Sequence, residues 1–283
     1  MTRSFSLGES PTGRHFIKMH GLQNHFVITD GREDEYRPGV DEIIRICDQK
    51  TGVGGDQLLV IQPPTGNNDA SAFMRILNVD GREVEACGNA TRCVAWLLME
   101  EAGSDQVVIE TLAGEIECHK TGDHEVSCAM GKLSAAWQDV PLAEARDTLH
   151  VQFDRGQLTD GVALNIGNPH IVFFVDDLEA IDIESIAPVI QKDPLFPEEV
   201  NVGVVEMHSP DHMTLKVYER GAGLTTACGS GACAAVYAAQ ARSLTDKNRV
   251  TVTMPAGDMC IEIRDDGNAV MTGPVAYCYS GYF

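Results

Sequence analysis

The sequence predicts an α+β fold of two pseudo-symmetric domains. Each is a curved, mainly antiparallel β-sheet or barrel around a central helix, with the active site in the cleft between them. Three observations lead there. The phrase Cys87-Gly88-Asn89-Ala90 is answered about half the chain later by Cys228-Gly229-Ser230-Gly231. Each phrase opens an apolar run of helical character, residues 91–98 and 232–239. Short β-type runs precede and follow each of them, so the order strands, helix, strands occurs twice.

Taken in order, residues 1–14 are polar and rich in Gly, Ser and Thr, and read as a disordered extension. Strand patterns follow over 15–18 and 26–29, the second ending in the Asp30-Gly31 turn. A helical pattern over 40–48 is closed by Gly52-Val53-Gly54-Gly55. Runs at 57–62 and 72–78 lead through the Asp80-Gly81 turn to the first Cys-Gly helix. Three short strands, 107–111, 115–119 and 125–130, complete the first unit. The second unit has strands at 148–153, 161–165, 171–175, 201–206 and 213–218, then its helix, then strands at 250–254, 260–264 and 269–272. The domains are therefore expected at 15–131, completed by 272–283, and at 132–271.

Composition narrows the function. A formal net charge of −21 argues against binding a nucleic-acid backbone or an anionic membrane surface, since both demand basic patches. No apolar run approaches the roughly 18 residues of a membrane span. No apolar leader segment follows Met1. Nine cysteines, an odd number, fit reduced thiols in the cytoplasm better than a secreted disulfide framework.

Cys87 and Cys228 stand out among the nine because each precedes a helix. A thiol at a helix N-terminus meets the positive end of the helix dipole and unpaired N–H groups, which lowers its pKa towards neutrality. Two such thiols, one from each half, suit a reaction that removes a proton from one face of a carbon and returns one to the other. The amides of Gly88-Asn89 and Gly229-Ser230 are suited to hold a carboxylate and the charge that develops on it. The other seven cysteines, Cys47, Cys93, Cys118, Cys128, Cys233, Cys260 and Cys278, read as small buried hydrophobes. Zinc is disfavoured because Cys87 to Cys93 and Cys228 to Cys233 exceed the usual ligand spacing. A Cys-His-Asn hydrolase needs one nucleophile and leaves the second thiol unexplained. Other residues have plain readings: turn chemistry for Asn78 and for Asn168-Pro169, a solvated strand end for Glu219-Arg220, a loop without a phosphate motif for Gly54-Gly55-Asp56.

Several stretches resemble diaminopimelate epimerases. They are 16–24 (Phe-Ile-Lys-Met-His-Gly-Leu-Gln-Asn), 54–57 (Gly-Gly-Asp-Gln), 78–92 around Cys87, Asn168-Pro169-His170, Asn201-Val202, 218–231 around Cys228, and Gly273-Pro274. The resemblance covers residues 15 to 283 in order. It implies a cofactor-independent enzyme, without metal, that interconverts LL- and meso-diaminopimelate for lysine and cell-wall synthesis, as a homodimer. It also implies Cys87 and Cys228 as the base and acid. Gly88, Asn89, Gly229 and Ser230 would hold the reacting carboxylate, and Glu219 the reacting amino group. Asn24, Gln57, Asn78, Asn168, Asn201 and Arg220 would grip the substrate, with Arg220 forking onto the distal carboxylate. His170 takes a supporting role.

The chain departs from the family pattern at Gln23, His25, Arg82 and Leu224, all beside the binding loops. A relative acting on another amino acid, a histidine- or proline-type racemase, is the second reading. A non-catalytic binding protein is the third, and the intact thiol pair speaks against it. Asn89 and Arg92 follow one cysteine while Glu219 and Arg220 precede the other, so the pocket is lopsided and suits a two-headed substrate.

Overall fold

The structure, a computed structural model, describes residues 13–66, 69–153 and 156–283. The first half contains β1 (His15–Gly21), β2 (Asn24–Asp30), α1 (Val40–Cys47), β3 (Gln57–Gln62), β4 (Ala72–Asn78), β5 (Glu83–Val84), α2 (Gly88–Ala102), β6 (Gln106–Thr111), β7 (Gly114–Gly122) and β8 (Glu125–Lys132). The second contains β9 (Val151–Gln152), β10 (Asp160–Asn165), β11 (Pro169–Val175), α3 (Ile183–Gln191), β12 (Asn201–Ser209), β13 (His212–Glu219), β14 (Gly223–Thr225), α4 (Gly229–Ala241), β15 (Arg249–Met254), β16 (Gly257–Ile263) and β17 (Asn268–Pro274). A last strand, β18 (Ala276–Tyr282), returns to the first half and pairs antiparallel with β1.

The fold is α+β and dominated by sheet, and its two halves repeat one pairing scheme. In the first, β2 and β3 are parallel, β4 is antiparallel to β3 and β5, β6 is parallel to β4, and β6, β7 and β8 form a meander. In the second, β11 and β12 are parallel, β13 is antiparallel to β12 and β14, β15 is parallel to β13, and β15, β16 and β17 form the meander. The meanders meet where β8 pairs antiparallel with β17, from Lys132 opposite Asn268 to Pro274 opposite Glu125.

Each sheet wraps one central helix. A helix apolar on every side belongs inside a core; α4 is of this kind, and α2 is buried over residues 89–95 while its last turn, from Glu100, is exposed. Ala90, Cys93, Val94, Ala95, Leu98 and Met99 of α2 are buried among β1 to β8, and burying a side chain such as Val94 or Leu98 contributes about 1.5–3 kcal/mol. In α4, Ala232, Cys233, Ala234, Ala235, Val236, Ala238 and Ala239 are fully buried, and their small size lets strands approach from all sides. Among the described residues no helix is long and apolar enough to cross a membrane.

Several elements differ from expectation. The helix α3 was not expected, because Pro188 sits inside it and proline disfavours helix interiors. It forms because Asp182 caps it, accepting from Ser185 N at 3.2 Å, and because Ile183, Ala187 and Ile190 bury one face. The expected strand 148–153 shrinks to β9. The strand β18 lacks an apolar alternation and owes its place to the β1 ladder. The extension expected over 1–14 lies outside the described residues for 1–12. Arg14 departs from it: its backbone pairs both ways with Phe283, and its side chain bonds Asp34 and lies over Tyr36. The reading of seven cysteines as buried hydrophobes fails at Cys278, which is exposed, and at half-buried Cys260, which accepts from Arg249 Nε at 2.9 Å. Both lie on strands whose outer faces meet solvent.

Candidate active site

Cys87 and Cys228 are the N-cap residues of α2 and α4, both in extended backbone before the first helical turn. Thr91 N and Ala232 N close those first turns on the two cysteine carbonyls, each at 2.9 Å. Gly88 and Gly229 start the helices against the side chain of one methionine. A Cβ at Gly88 would lie 2.5 Å from Met271 Cε, and one at Gly229 would lie 2.5 Å from Met271 Sδ. The two helix N-termini therefore converge on a single methionine of β17.

On the first side, Cys87 Sγ donates to Asn24 Oδ1 over 3.8 Å, and Asn89 Nδ2 donates to the same oxygen at 3.4 Å. Asn24 begins β2, after a tight hairpin in which Leu22 and Gln23 both take positive φ. Gln23 thus carries a side chain in the left-handed region that glycine favours. Asn24 Nδ2 donates to Asp56 Oδ2 at 3.1 Å, and the same oxygen accepts His25 N at 2.7 Å. Asp56 is held by the loop that wraps the C-terminus of α1, where Val53 and Gly54 amides bond Ile46 O and Gly55 N bonds Cys47 O. Next to it Gln57 Nε2 donates to Asn78 Oδ1 at 2.9 Å, while buried Gln57 Oε1 has no partner among the described residues.

On the second side, Ser230 Oγ lies 3.5 Å from Cys228 Sγ, and Gly231 N donates to that sulfur at 3.4 Å. His170 is buried, with Nε2 at 3.0 Å from Asn168 Oδ1 and 3.1 Å from Ser230 Oγ. Since an amide oxygen only accepts, His170 carries its hydrogen on Nε2 and Ser230 keeps its own for the sulfur. Glu219 ends β13, accepts from Thr225 Oγ1 at 2.6 Å and takes a hydrogen bond from Cys228. Asn201 is spent locally: Nδ2 donates to Pro169 O at 3.0 Å and Oδ1 accepts Arg220 N at 2.8 Å. Its contribution is to fix the Arg220 backbone. The exposed Arg220 guanidinium uses Nη1 on Glu198 O at 2.8 Å.

Electrostatics links the sides. Burial pushes the Cys87 thiol up, and the Glu219 charge adds to this; the Ala90 and Asn89 amides and Arg92 oppose it. Burial also pushes Cys228 well up, again helped by Glu219, against Ser230 and the Gly231 amide. The Glu219 charge acts in the same direction on both sulfurs. The direction reverses the expectation from the helix termini: two or three amides do not offset the loss of water around a buried thiolate. Burial raises Glu219 itself, with the Thr225 and Cys228 hydrogen bonds opposing. His170 is pushed down to about 3 by burial and by the Arg220 charge, so it is neutral at neutral pH.

The expected residues thus gather into two clusters, Cys87 with Asn24 and Asn89, and Cys228 with Ser230, Asn168, His170 and Glu219. Gln57 and Asn78 pair beside the first, and Asn201 and Arg220 beside the second. Two contributors were not among them. Asp56 anchors Asn24, and its signal was its place before Gln57 in the Gly-Gly-Asp-Gln run. Thr225 anchors Glu219 and lies in the run leading to Cys228. A cavity of about 400 Å³ lined by His150, Asp160, Phe173 and Arg242 lies at the other end of α4, and Asp160 already pairs with Arg242 there.

The chain was compared with known proteins for family and fold. The family model for diaminopimelate epimerase matches residues 16–136 and 162–278. A diaminopimelate epimerase of Rhodospirillum centenum is 45% identical over 268 residues, covering 95% of this chain and 91% of that protein. One from Caulobacter vibrioides is 43% identical over 280 residues, covering 95% of this chain and 96% of that protein. Among solved structures, a hydroxyproline epimerase from Agrobacterium vitis superposes with a TM-score of 0.67 at 14% identity, over 96% of this chain and 91% of that one. A phenazine biosynthesis protein of the PhzF family from Bacillus anthracis gives 0.66 at 14% identity, over 96% and 99%. These two share the fold. The family-model match across both halves, with relatives this similar over nearly the whole chain, means that the chain belongs to the diaminopimelate epimerase family.

Proposed function

We propose that the protein interconverts LL- and meso-diaminopimelate by proton transfer between Cys87 and Cys228 at the α-carbon, without pyridoxal phosphate or metal. The observation that carries the reading is that the two cysteines cap helices whose first residues converge on Met271. One sulfur, as thiolate, takes the α-hydrogen from one face. The other, as thiol, gives its hydrogen to the opposite face, and the two sulfurs end with exchanged protonation states. Amides of Gly88, Asn89, Gly229 and Ser230 hold the carboxylate on which charge develops. A substrate ammonium seated at Glu219 offsets the charge that adds to the effect of burial on both thiols.

Arg220 takes the distal carboxylate, and Asn24, Gln57, Asn78 and Asn168 supply amides around the rest. A substrate with a single amino acid head group has nothing for Arg220 to bind at the far end, which disfavours the histidine- or proline-type alternative. The reading implies a place in lysine and cell-wall precursor synthesis in the cytoplasm. The exposed Tyr277, Tyr279 and Tyr282 on β18 support a homodimer.

The test is α-hydrogen exchange in D₂O under reducing conditions, with LL-diaminopimelate and a panel of L-amino acids. Deuterium is expected in diaminopimelate, and Cys87→Ala and Cys228→Ala are each expected to abolish epimerisation. Exchange confined to histidine or proline sinks the substrate assignment. Full activity in either alanine variant sinks the two-thiol mechanism.

A further inference from the structure

Leu22 belongs by sequence to one half and by packing to the other. Met19 of β1 and Phe26 of β2, on either side of it along the chain, are buried in the core around α2. Leu22 is 6% exposed and buried in the core around α4, where among the described residues every other buried member lies between Val162 and Met271. Its seat is the turn between β15 and β16. There Gly257 takes a φ of +130°, and a Cβ on it would lie 3.1 Å from Leu22 Cδ2. The seat is tied to the second cysteine. Ala256 N donates to Thr226 O at 3.0 Å, and Cys228 N donates to Met254 Sδ at 3.4 Å.

The turn that carries Leu22 goes against local preference. Gly21 pairs with Asn24, so Leu22 and Gln23 are the two central residues of the hairpin. Their φ values, 51° and 61°, are those of a type I′ turn, which favours Asn and Gly. A leucine in the left-handed region needs support from outside the turn, and burial in the opposite core supplies it. On the near side the turn rests on α2. A Cβ at Gly21 would lie 3.2 Å from Arg92 Nη2, and Asn24 Oδ1 accepts from Cys87 Sγ and Asn89 Nδ2. Residues 21–24 thus bridge from the Cys87 helix to the turn bonded to the loop before Cys228.

We propose that Leu22 is a positioning residue, a plug that seats the β1–β2 turn in the second half and so holds Asn24 on Cys87. With the plug withdrawn the turn loses that seat, Asn24 parts from the sulfur, and the sulfur meets solvent. The importance of this for proton transfer rests on the two-thiol reading above. The seat itself is tested without turnover.

The test is the rate of alkylation of Cys87 by iodoacetamide at about pH 8 in a Cys228→Ser background, followed by mass spectrometry. Leu22→Ala is expected to speed the reaction about tenfold, through more frequent local opening of the turn. Leu22→Met is close in volume, refills the seat and stays within about twofold of the parent. Gln23→Gly eases the same turn, keeps the plug and also stays within about twofold. Ile263→Ala removes a large side chain from the same core, about 20 Å along β16 from Gly257. It lowers the melting temperature and leaves Cys87 within about twofold.

An unmoved Cys87 rate in folded Leu22→Ala overturns the proposal, and so does an equal rise in Gln23→Gly or Ile263→Ala. If Leu22→Ala does not fold, Leu22→Gly decides, because glycine suits the turn and still removes the plug. A rise of about tenfold then sustains the proposal, and the parent's rate overturns it. Deuterium exchange into diaminopimelate is scored separately on the parent chain. A faster Cys87 in Leu22→Ala without exchange in the parent sinks the assigned function and keeps the plug; exchange with an unmoved Cys87 does the reverse.

Discussion

His170 pairs with Asn168 and Ser230 from a position with almost no contact with water. Held down to about 3, it stays neutral where an unfolded imidazole, near 6.5, takes up a proton. The unfolded chain therefore binds more protons between those values. Stability from this group is complete above about pH 6.5 and falls by up to about 1.4 kcal/mol per pH unit as pH drops towards 3. Urea unfolding at about pH 7 and about pH 4.5 is expected to differ by about 2–3 kcal/mol less in His170→Gln than in the parent. An unchanged difference between the two pH values removes the imidazole from the account of acid stability. At this scale the sequence exposed identity but not partnership. Cys87, Cys228, Asn24 and Glu219 were legible from their motifs. That Arg92 bonds Asn89 and no carboxylate among the described residues, or that Asn201 bonds Pro169 O and Arg220 N, depends on atoms brought together by the fold.

Among the elements, α1 and its following loop show how a scaffold reaches the site. The helix buries Ile43, Ile46 and Cys47, places Asp41 and Glu42 in its first turn and Arg45 in its last, and ends where loop amides take its final carbonyls. Gly52 makes that turn possible, since a Cβ there would lie 2.1 Å from Arg45 O and 2.7 Å from Ile46 O. Backbone atoms give way less readily than side-chain ends. Gly52→Ala is expected to cost about 2–3 kcal/mol in thermal or urea unfolding. Gly39→Ala, with nothing within 4 Å, is expected to cost under about 1 kcal/mol. Equal losses in the two variants refute the steric account. Both central helices and most strands were readable because their apolar runs are long. The helix α3 was hidden by Pro188, and β5 and β14 are too short to carry a pattern.

At the scale of the whole molecule, the last strand belongs with the first. Phe283 stacks on Phe16 at 5.7 Å between ring centroids, and β18 runs beside β1 from His15 opposite Tyr282 to His20 opposite Ala276. Removing residues 276–283 is expected to expose the β1–β2 hairpin, and Asn24 with it. Amide exchange at 15–30 should then quicken by at least about tenfold while α4 changes little. Exchange that quickens equally in both halves shows that the strand supports the molecule at large. The repeat was legible from the duplicated Cys-Gly phrase. The return of the chain was legible only as an expected completion of the first domain, because nothing local in 276–283 names its partner.

That return gives the ladder between β8 and β17 a mechanical character. The chain leaves the first half at the Lys132 end of the ladder, where Ser134 already bridges Asn165, and comes back beyond Pro274 at the other end. The two crossings stand about 23 Å apart, seven residues of strand at about 3.3 Å each. Two halves joined at one point swivel in any direction. Joined at both ends of a common edge, they are held against twisting about any other line. The same ladder carries Met271, against which both cysteine helices begin.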